Sequence, residues 1–144
     1  MEKVTLDQFT VAGMIIKSDW KGLHYEMPKK WTLFREKLSQ IINRKSDKMM
    51  DISMHYEDGI YTQCICVEVD DSFKASELEI ITIPSQSYLH YLHQGEVTEI
   101  AHSFGKMIEY AKMKQIPIDH MKVDIGYTYG GNEKVHDLYI KVVE

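Results

Sequence analysis

The order of predicted elements along this chain occurs twice, and this repetition is the feature that most constrains its fold. Each half, spanning about residues 1–72 and 73–144, reads as an apolar strand, an amphipathic helix and two strands joined by a glycine-containing turn. Two such modules side by side predict one α+β domain with a cleft between them, where small ligands bind. The predicted elements are Phe9–Lys17, Pro28–Arg44, Asp51–Glu57 and Ile60–Val69, then Leu78–His93, Glu96–Lys114, Lys122–Tyr129 and His136–Val143.

The composition excludes several classes of protein. A chain of 144 residues with 44% hydrophobic and 27% charged residues has the size of a single globular domain. No run of about eighteen apolar residues is present, so we expect no membrane-spanning helix. The first residues lack the apolar segment of a signal peptide, which makes the cytoplasm the expected location. The net charge of −5 argues against direct binding to nucleic acid.

Both predicted helices carry one apolar stripe that indicates core packing. The first has Trp31, Phe34 and Leu38 at three- and four-residue steps. Pro28 suits its first turn, because proline has no N–H to leave unpaired there. The second helix repeats the pattern, and Pro117 follows close behind its end. Aromatic residues at helical spacing are more typical of a core than of a ligand site, so we assign both stripes to the core.

The last strands alternate in character, which predicts a different role for each face. We expect the aliphatic face, with Ile65 and Val67 or Leu138 and Ile140, to pack under a helix. The opposite face of the final strand carries a carboxylate beside an aromatic ring, an arrangement suited to a cationic or polar aromatic ligand. From composition alone, an exposed strand carboxylate is the simpler interpretation of Asp137.

Tyrosines are the second candidate for a ligand surface, since the chain has nine of them. Tyrosine suits a binding surface because its ring is apolar and its hydroxyl forms hydrogen bonds. A sheet-edge position is the alternative interpretation for any single tyrosine, but for the group we expect a ligand-facing subset. Those in or near predicted strands are Tyr25, Tyr56, Tyr61, Tyr88, Tyr91, Tyr127 and Tyr129.

The cysteines and histidines predict neither a metal site nor a cofactor. Cys64 and Cys66 lie two apart in one strand, which does not suit disulfide geometry, and two cysteines alone do not form a structural zinc site. His90 and His93 point to opposite faces of a predicted strand, so they are poor joint ligands for one metal. No GxGxxG, phosphate-binding loop or GxSxG motif is present.

Four short stretches carry a family resemblance. They are Val11-Ala12-Gly13-Met14, the helix start Pro28…Trp31…Phe34, Ile83-Pro84 followed by Tyr88-Leu89-His90-Tyr91-Leu92-His93-Gln94-Gly95, and the closing Asp137-Leu138-Tyr139-Ile140-Lys141-Val142. Together they resemble the GyrI-like small-molecule-binding domain, which is also the effector-binding domain of bacterial multidrug-responsive transcription regulators. The resemblance covers nearly the whole chain. It implies two modules related by a pseudo-twofold axis, an antiparallel sheet with both helices on one face, and a ligand groove between the modules.

The resemblance also implies an aromatic pocket with one acidic residue on the closing strand. Asp137 stands where the family usually has Glu, Tyr139 matches the family's aromatic residue, and Lys141 stands where Pro is frequent. The shorter carboxylate and the lysine argue against a strong preference for bulky cationic drugs. The ligand-binding residues that we predict are Asp137, Tyr139, Tyr88, Tyr91, His93, Tyr127 and Cys64.

Three functions follow from this resemblance. The first is a stand-alone protein that binds or sequesters a small aromatic or cationic molecule and reports to a separate regulator. The second is a hydrolase of strained electrophiles, in which Asp137 activates water and Tyr139 orients the substrate or donates a proton. The third is a gyrase-inhibitor-like interaction module, for which a net charge of −5 is modest. We rank binding first, because an ordinary Asp is a weak base near neutral pH.

Overall fold

The computed structural model describes residues 1–70 and 77–144, and it shows a single sheet with two helices. The predicted boundary between the halves, at residues 72 and 73, lies outside the described residues. The strands are β1 (Glu2–Leu6), β2 (Phe9–Ser18), β3 (Arg44–Glu57), β4 (Ile60–Val69), β5 (Glu79–Ile83), β6 (Gln86–Gln94), β7 (Ile118–Tyr127) and β8 (Val135–Val142). The helices are α1 (Trp20–Lys37) and α2 (Ile100–Met113), each with one 3-10 turn beside it.

The strand order of the antiparallel sheet is β1-β6-β8-β7-β3-β4-β2-β5, and it is symmetric about its centre. One module contributes β2, α1, β3 and β4, and the other contributes β6, α2, β7 and β8. Their third elements, β3 and β7, pair at the middle of the sheet. Each module also receives an edge strand from the other half, because β1 pairs with β6 and β5 pairs with β2. The predicted α+β fold of two duplicated modules is confirmed.

The first helix begins earlier than the sequence analysis predicted, and Pro28 lies inside it. Asp19 caps the helix, because its Oδ1 accepts a hydrogen bond of 2.8 Å from the backbone N–H of Gly22. This cap, and not the proline, fixes the start. The helix also ends earlier, since Arg44 already belongs to β3 and donates hydrogen bonds to the carbonyls of Leu38 and Ile41.

The segment Leu78–His93, predicted as one strand, forms two. Pro84 and Ser85 separate β5 from β6, because proline has no N–H for the sheet and restricts the residue before it. The two strands then lie far apart, one at an edge of the sheet beside β2 and the other between β1 and β8. The short strand β1 was not predicted.

Rows of directly opposed residues show which way each side chain points. One row crosses the sheet through Ile65, Asp51, Asp124, Leu138 and Tyr91. It starts in the hydrophobic cluster under α1 and ends in the cluster under α2, so both helices lie on the same face. Because α1 packs on β2 and β4 and α2 on β6, the central strands β3 and β7 form the floor of a groove between the helices.

The other face carries no helix, yet it contains a hydrophobic cluster to which all eight strands contribute. Tyr88 and Cys64 are completely buried there. Two-residue connections join β1 to β2 and β5 to β6, which lie towards opposite edges of the sheet. The sheet must therefore curl so that its edges approach each other and enclose this face. In residues 1–70 and 77–144, no helix is long and apolar enough to cross a membrane.

Candidate ligand-binding site

A cavity of about 350 Å³ lies along α1 on the helix-bearing face of the sheet. Successive turns of α1 form its wall, and strands β3 and β4 form its floor. The lining is apolar and aromatic apart from the floor, which holds a carboxylate and an amide, a composition typical of small-molecule sites. The lining residues are Trp20, Leu23, His24, Met27, Pro28, Trp31, Asp51 and Gln63.

The floor carboxylate lies where the two modules meet. Asp51 on β3 pairs directly with Asp124 on β7, and both side chains point towards the helices. A twofold axis that relates β3 to β7 therefore passes between these two residues. Like charges directly opposite each other on neighbouring strands destabilise a sheet unless they are compensated.

Each carboxylate oxygen of Asp124 has a hydrogen-bonding neighbour. The hydroxyl of Tyr127 donates to its Oδ2 over 2.6 Å, and His136 Nδ1 lies 2.7 Å from its Oδ1. Asp124 and His136 are both buried. Burial, together with the charge of Asp124, raises the pKa of the Tyr127 hydroxyl far above its ordinary value, so this group remains a donor.

Asp51 has much weaker support. Within the described chain, its carboxylate accepts one side-chain hydrogen bond, from Gln63 Nε2 to Oδ1 at 3.1 Å. No Lys, Arg or His of residues 1–70 and 77–144 forms a salt bridge with it. The part of the Asp51 side chain that remains accessible to solvent lines the cavity. Burial, followed by the charge of Asp124, raises the pKa of Asp51 from 3.8 to about 7, and the Gln63 hydrogen bond opposes this rise.

Aromatic rings extend the site at its mouth. Trp20, which is 62% exposed, lies 5.8 Å from the ring of Tyr61. Tyr61 lies 4.6 Å from Tyr56, and Tyr56 lies 5.8 Å from His120. Deeper in the groove, Trp31 contacts Tyr127 with ring centroids 4.7 Å apart. Rings spaced in this way provide faces for stacking and for cation–π contact with a ligand.

The ligand-binding residues predicted from the sequence lie on both faces of the sheet. Asp137, Tyr139, Tyr88 and Cys64 lie on the helix-free face, away from the cavity under α1. There the Asp137 Oδ1 is 2.8 Å from His90 Nε2. Tyr139 also borders a separate cavity of about 450 Å³ on that face.

The other three predicted residues lie on the helix-bearing face. Tyr91 packs in the cluster under α2. His93 is buried at the start of α2, with Nδ1 2.7 Å from Ser103 Oγ and Nε2 2.9 Å from the Glu96 carbonyl oxygen. Tyr127 contacts Trp31 and Asp124 at the floor of the groove. Of the predicted set, Tyr127 is therefore the residue that lies closest to the floor carboxylates.

The sequence analysis missed Asp51, Gln63 and Asp124. A usable signal was present, because Met50-Asp51-Ile52 and Val123-Asp124-Ile125 place an acidic residue between two apolar ones in equivalent strands. An acidic residue in an apolar strand is rarely buried unless it is paired or has a specific function. Its occurrence in both halves marks the axis between the modules.

Two modules share one antiparallel sheet, and an aromatic cavity lined by residues of the first module lies beside the pairing of β3 with β7. This arrangement is that of a GyrI-like effector-binding domain. The family model of Cass2, the integron-associated effector binding proteins, matches residues 3–141. The chain belongs to this family, and it is accordingly a small-molecule-binding protein.

Solved structures share this fold at low sequence identity. SAV2435, solved with bound tetraphenylphosphonium, has a TM-score of 0.78 and 14% identity over 99% of this chain and 93% of that chain. A Staphylococcus aureus MU50 protein presented as a candidate bacterial transcription regulation protein has a TM-score of 0.74 and 12% identity over 99% and 97%. The Vibrio cholerae integron cassette protein VCH_CASS2 has a TM-score of 0.66 and 14% identity over 99% and 95%. No curated protein matches the chain.

Proposed function

We propose that the chain binds a lipophilic, aromatic compound with one positive charge in the cavity along α1, with Asp51 as the counter-ion. The observation that carries this proposal is a carboxylate at the floor of an aromatic cavity that forms no salt bridge with any Lys, Arg or His of residues 1–70 and 77–144. A buried ionised carboxylate is costly unless it is paired, and a bound cation supplies the missing partner.

The walls favour the same class of ligand. Trp20 offers a ring face for a cation, whereas the ring of Trp31 already has the Arg35 guanidinium 5.1 Å from its centroid and supplies apolar wall. Met27 offers a polarisable thioether that adapts to irregular shapes. A volume of about 350 Å³ is at the lower end for a drug-sized ligand. The open aromatic row at the mouth extends the apolar surface for parts of the ligand that do not fit inside.

Intrinsic fluorescence tests this proposal directly, because the chain has two tryptophans and both line the cavity. Titration with tetraphenylphosphonium should change the tryptophan emission and saturate. Losing a charge-assisted contact costs about 1.5–3 kcal/mol, so Asp51→Asn should weaken binding by about tenfold or more.

Asp137→Asn is the matched control, since it removes a carboxylate from the helix-free face of the same sheet. It should leave the affinity for tetraphenylphosphonium unchanged. The opposite pattern, with binding lost in Asp137→Asn and retained in Asp51→Asn, would move the site to the face that the sequence analysis favoured.

We also propose that the protein serves as a sensor or as a store of its ligand, alongside a separate regulator. This role is supported by membership of an effector-binding family and by the fold shared with the staphylococcal candidate regulator. Transcript profiles of host cells with the wild-type or Asp51→Asn allele, grown with tetraphenylphosphonium, test it. A sensor predicts transcript changes that require Asp51, whereas a store predicts altered tolerance without them. Identical behaviour of both alleles would contradict both roles.

A further inference from the structure

The charges on the groove floor do not balance in the unliganded protein. Asp51 and Asp124 face each other, and His136 is the one basic side chain of residues 1–70 and 77–144 that forms a salt bridge with either of them. Whether His136 is neutral or protonated, at least one of the two carboxylates has no salt bridge to a basic side chain in the described part of the chain. The low polarity of the site favours holding a proton there over leaving that charge uncompensated.

The hydrogen bonds identify the carboxyl group that holds the proton. Asp124 accepts bonds at both oxygens, which favours its ionised form. Asp51 accepts one bond, at Oδ1, and its Oδ2 has no donor among the described residues. Burial and the neighbouring Asp124 charge raise the pKa of Asp51 to about 7, in agreement with this geometry.

We propose that a cation entering the cavity takes the place of the proton on Asp51, so that the site exchanges one proton for one monovalent cation. The inference rests on the proposed function. In the exchange, the O–H bond of the Asp51 carboxyl breaks, the proton passes to solvent, and the carboxylate pairs with the ligand. A neutral ligand of the same shape binds beside the protonated acid and releases no proton.

Other titratable groups surround Asp51 and are the alternative sources of a released proton. His24 on α1 lines the cavity and is exposed. Lys122 faces Ser53 two residues along the β3–β7 pair. The remaining groups are Arg35 beside Trp31 on α1, Tyr61 and Cys66 on β4, Asp124 and Tyr127 on β7, Glu133 just before β8, and His136 on β8.

Calorimetric titration with tetraphenylphosphonium tests the exchange. At pH 6, the heat of binding measured in buffers of different ionisation enthalpy should reveal release of about one proton per ligand, falling towards zero at pH 8. The dissociation constant should decrease about tenfold from pH 6 to pH 8, because a group with a pKa of about 7 is about nine-tenths protonated at pH 6. Triphenylphosphine oxide, a neutral compound of similar shape, should bind with no proton release.

Variants separate Asp51 from the surrounding histidines. Asp51→Asn keeps every histidine, so it should abolish both the proton release and the pH dependence, while Asp137→Asn should retain them. If the pH dependence persists in Asp51→Asn, another of the surrounding groups is its source and the inference is wrong. Tight binding without proton release in the wild type would overturn this inference alone. No binding of tetraphenylphosphonium at either pH would overturn the proposed function as well.

Discussion

The carboxyl group of Asp51 should make the stability of the unliganded protein depend on pH. Burial, followed by the charge of Asp124, raises its pKa from 3.8 to about 7. The folded state binds this proton more tightly than the unfolded state does. The protonated carboxyl group therefore contributes its full stabilisation at pH values below the pKa of Asp51 in the unfolded state. It is lost as the pH rises through about 7. Asn has the shape of the protonated acid and cannot ionise, so Asp51→Asn should prevent this loss.

The size of the effect follows from the shift in pKa. About three units, at about 1.36 kcal/mol each, correspond to roughly 4 kcal/mol over the whole range. About 2–3 kcal/mol of this falls between pH 5 and pH 8, and the opening to solvent through the cavity reduces it to roughly 2 kcal/mol. For a chain of this length, that difference in the free energy of unfolding corresponds to roughly 5 °C in Tm.

Thermal unfolding at pH 5 and pH 8 provides the assay. The Tm of Asp51→Asn minus that of wild type should be about 5 °C higher at pH 8 than at pH 5. Asp137→Asn should show no comparable gain at pH 8, because that carboxylate is partly exposed and bonded to His90. The reasoning is refuted if the relative Tm of Asp51→Asn is the same at both pH values, or falls at pH 8.

Two pairs of substitutions test the packing of the sheet and a hydrogen bond in the groove. Gly13→Ala should destabilise the fold by about 1–3 kcal/mol in urea denaturation, because the added Cβ would meet backbone atoms of β4. At Gly105 on α2 an added Cβ meets open space, so Gly105→Ala should instead stabilise the fold by about 0.5–1 kcal/mol. Equal effects of the two substitutions on the free energy of unfolding would contradict the packing described. Tyr127→Phe should cost about 1–3 kcal/mol because it removes a donor from buried Asp124, whereas the exposed Tyr129→Phe should cost almost nothing. If Tyr127→Phe leaves the free energy of unfolding unchanged, Asp124 does not depend on this bond.

The periodic elements of the chain could be predicted from the sequence. The strand Ile60–Val69 was predicted residue for residue, because the turn at Asp58 and Gly59 marks its start. The predicted second helix, Glu96–Lys114, contains both α2 and the 3-10 turn before it. The start of α1 was missed because Pro28 gave a signal that outweighed the cap at Asp19. Nothing in the local pattern showed that tertiary packing would tolerate a proline within the helix.

The candidate site was less accessible to sequence reasoning, because it depends on which strands are neighbours. Asp51 and Asp124 are far apart in the sequence and meet through the pairing of β3 with β7. Alternation placed Asp137 and Tyr139 on one face, as the structure does, but it could not show that the groove between the helices opens on the other. That fact follows from the strand order and from the positions of α1 and α2.

The position of a bound cation decides which face of the sheet holds the ligand. Tetraphenylarsonium has the charge and shape of tetraphenylphosphonium, and its arsenic atom can be located by anomalous diffraction from a co-crystal. We predict an arsenic peak in the cavity along α1, beside Asp51 and between Trp20 and Trp31. A peak on the helix-free face, beside Asp137 and Tyr139, would contradict it.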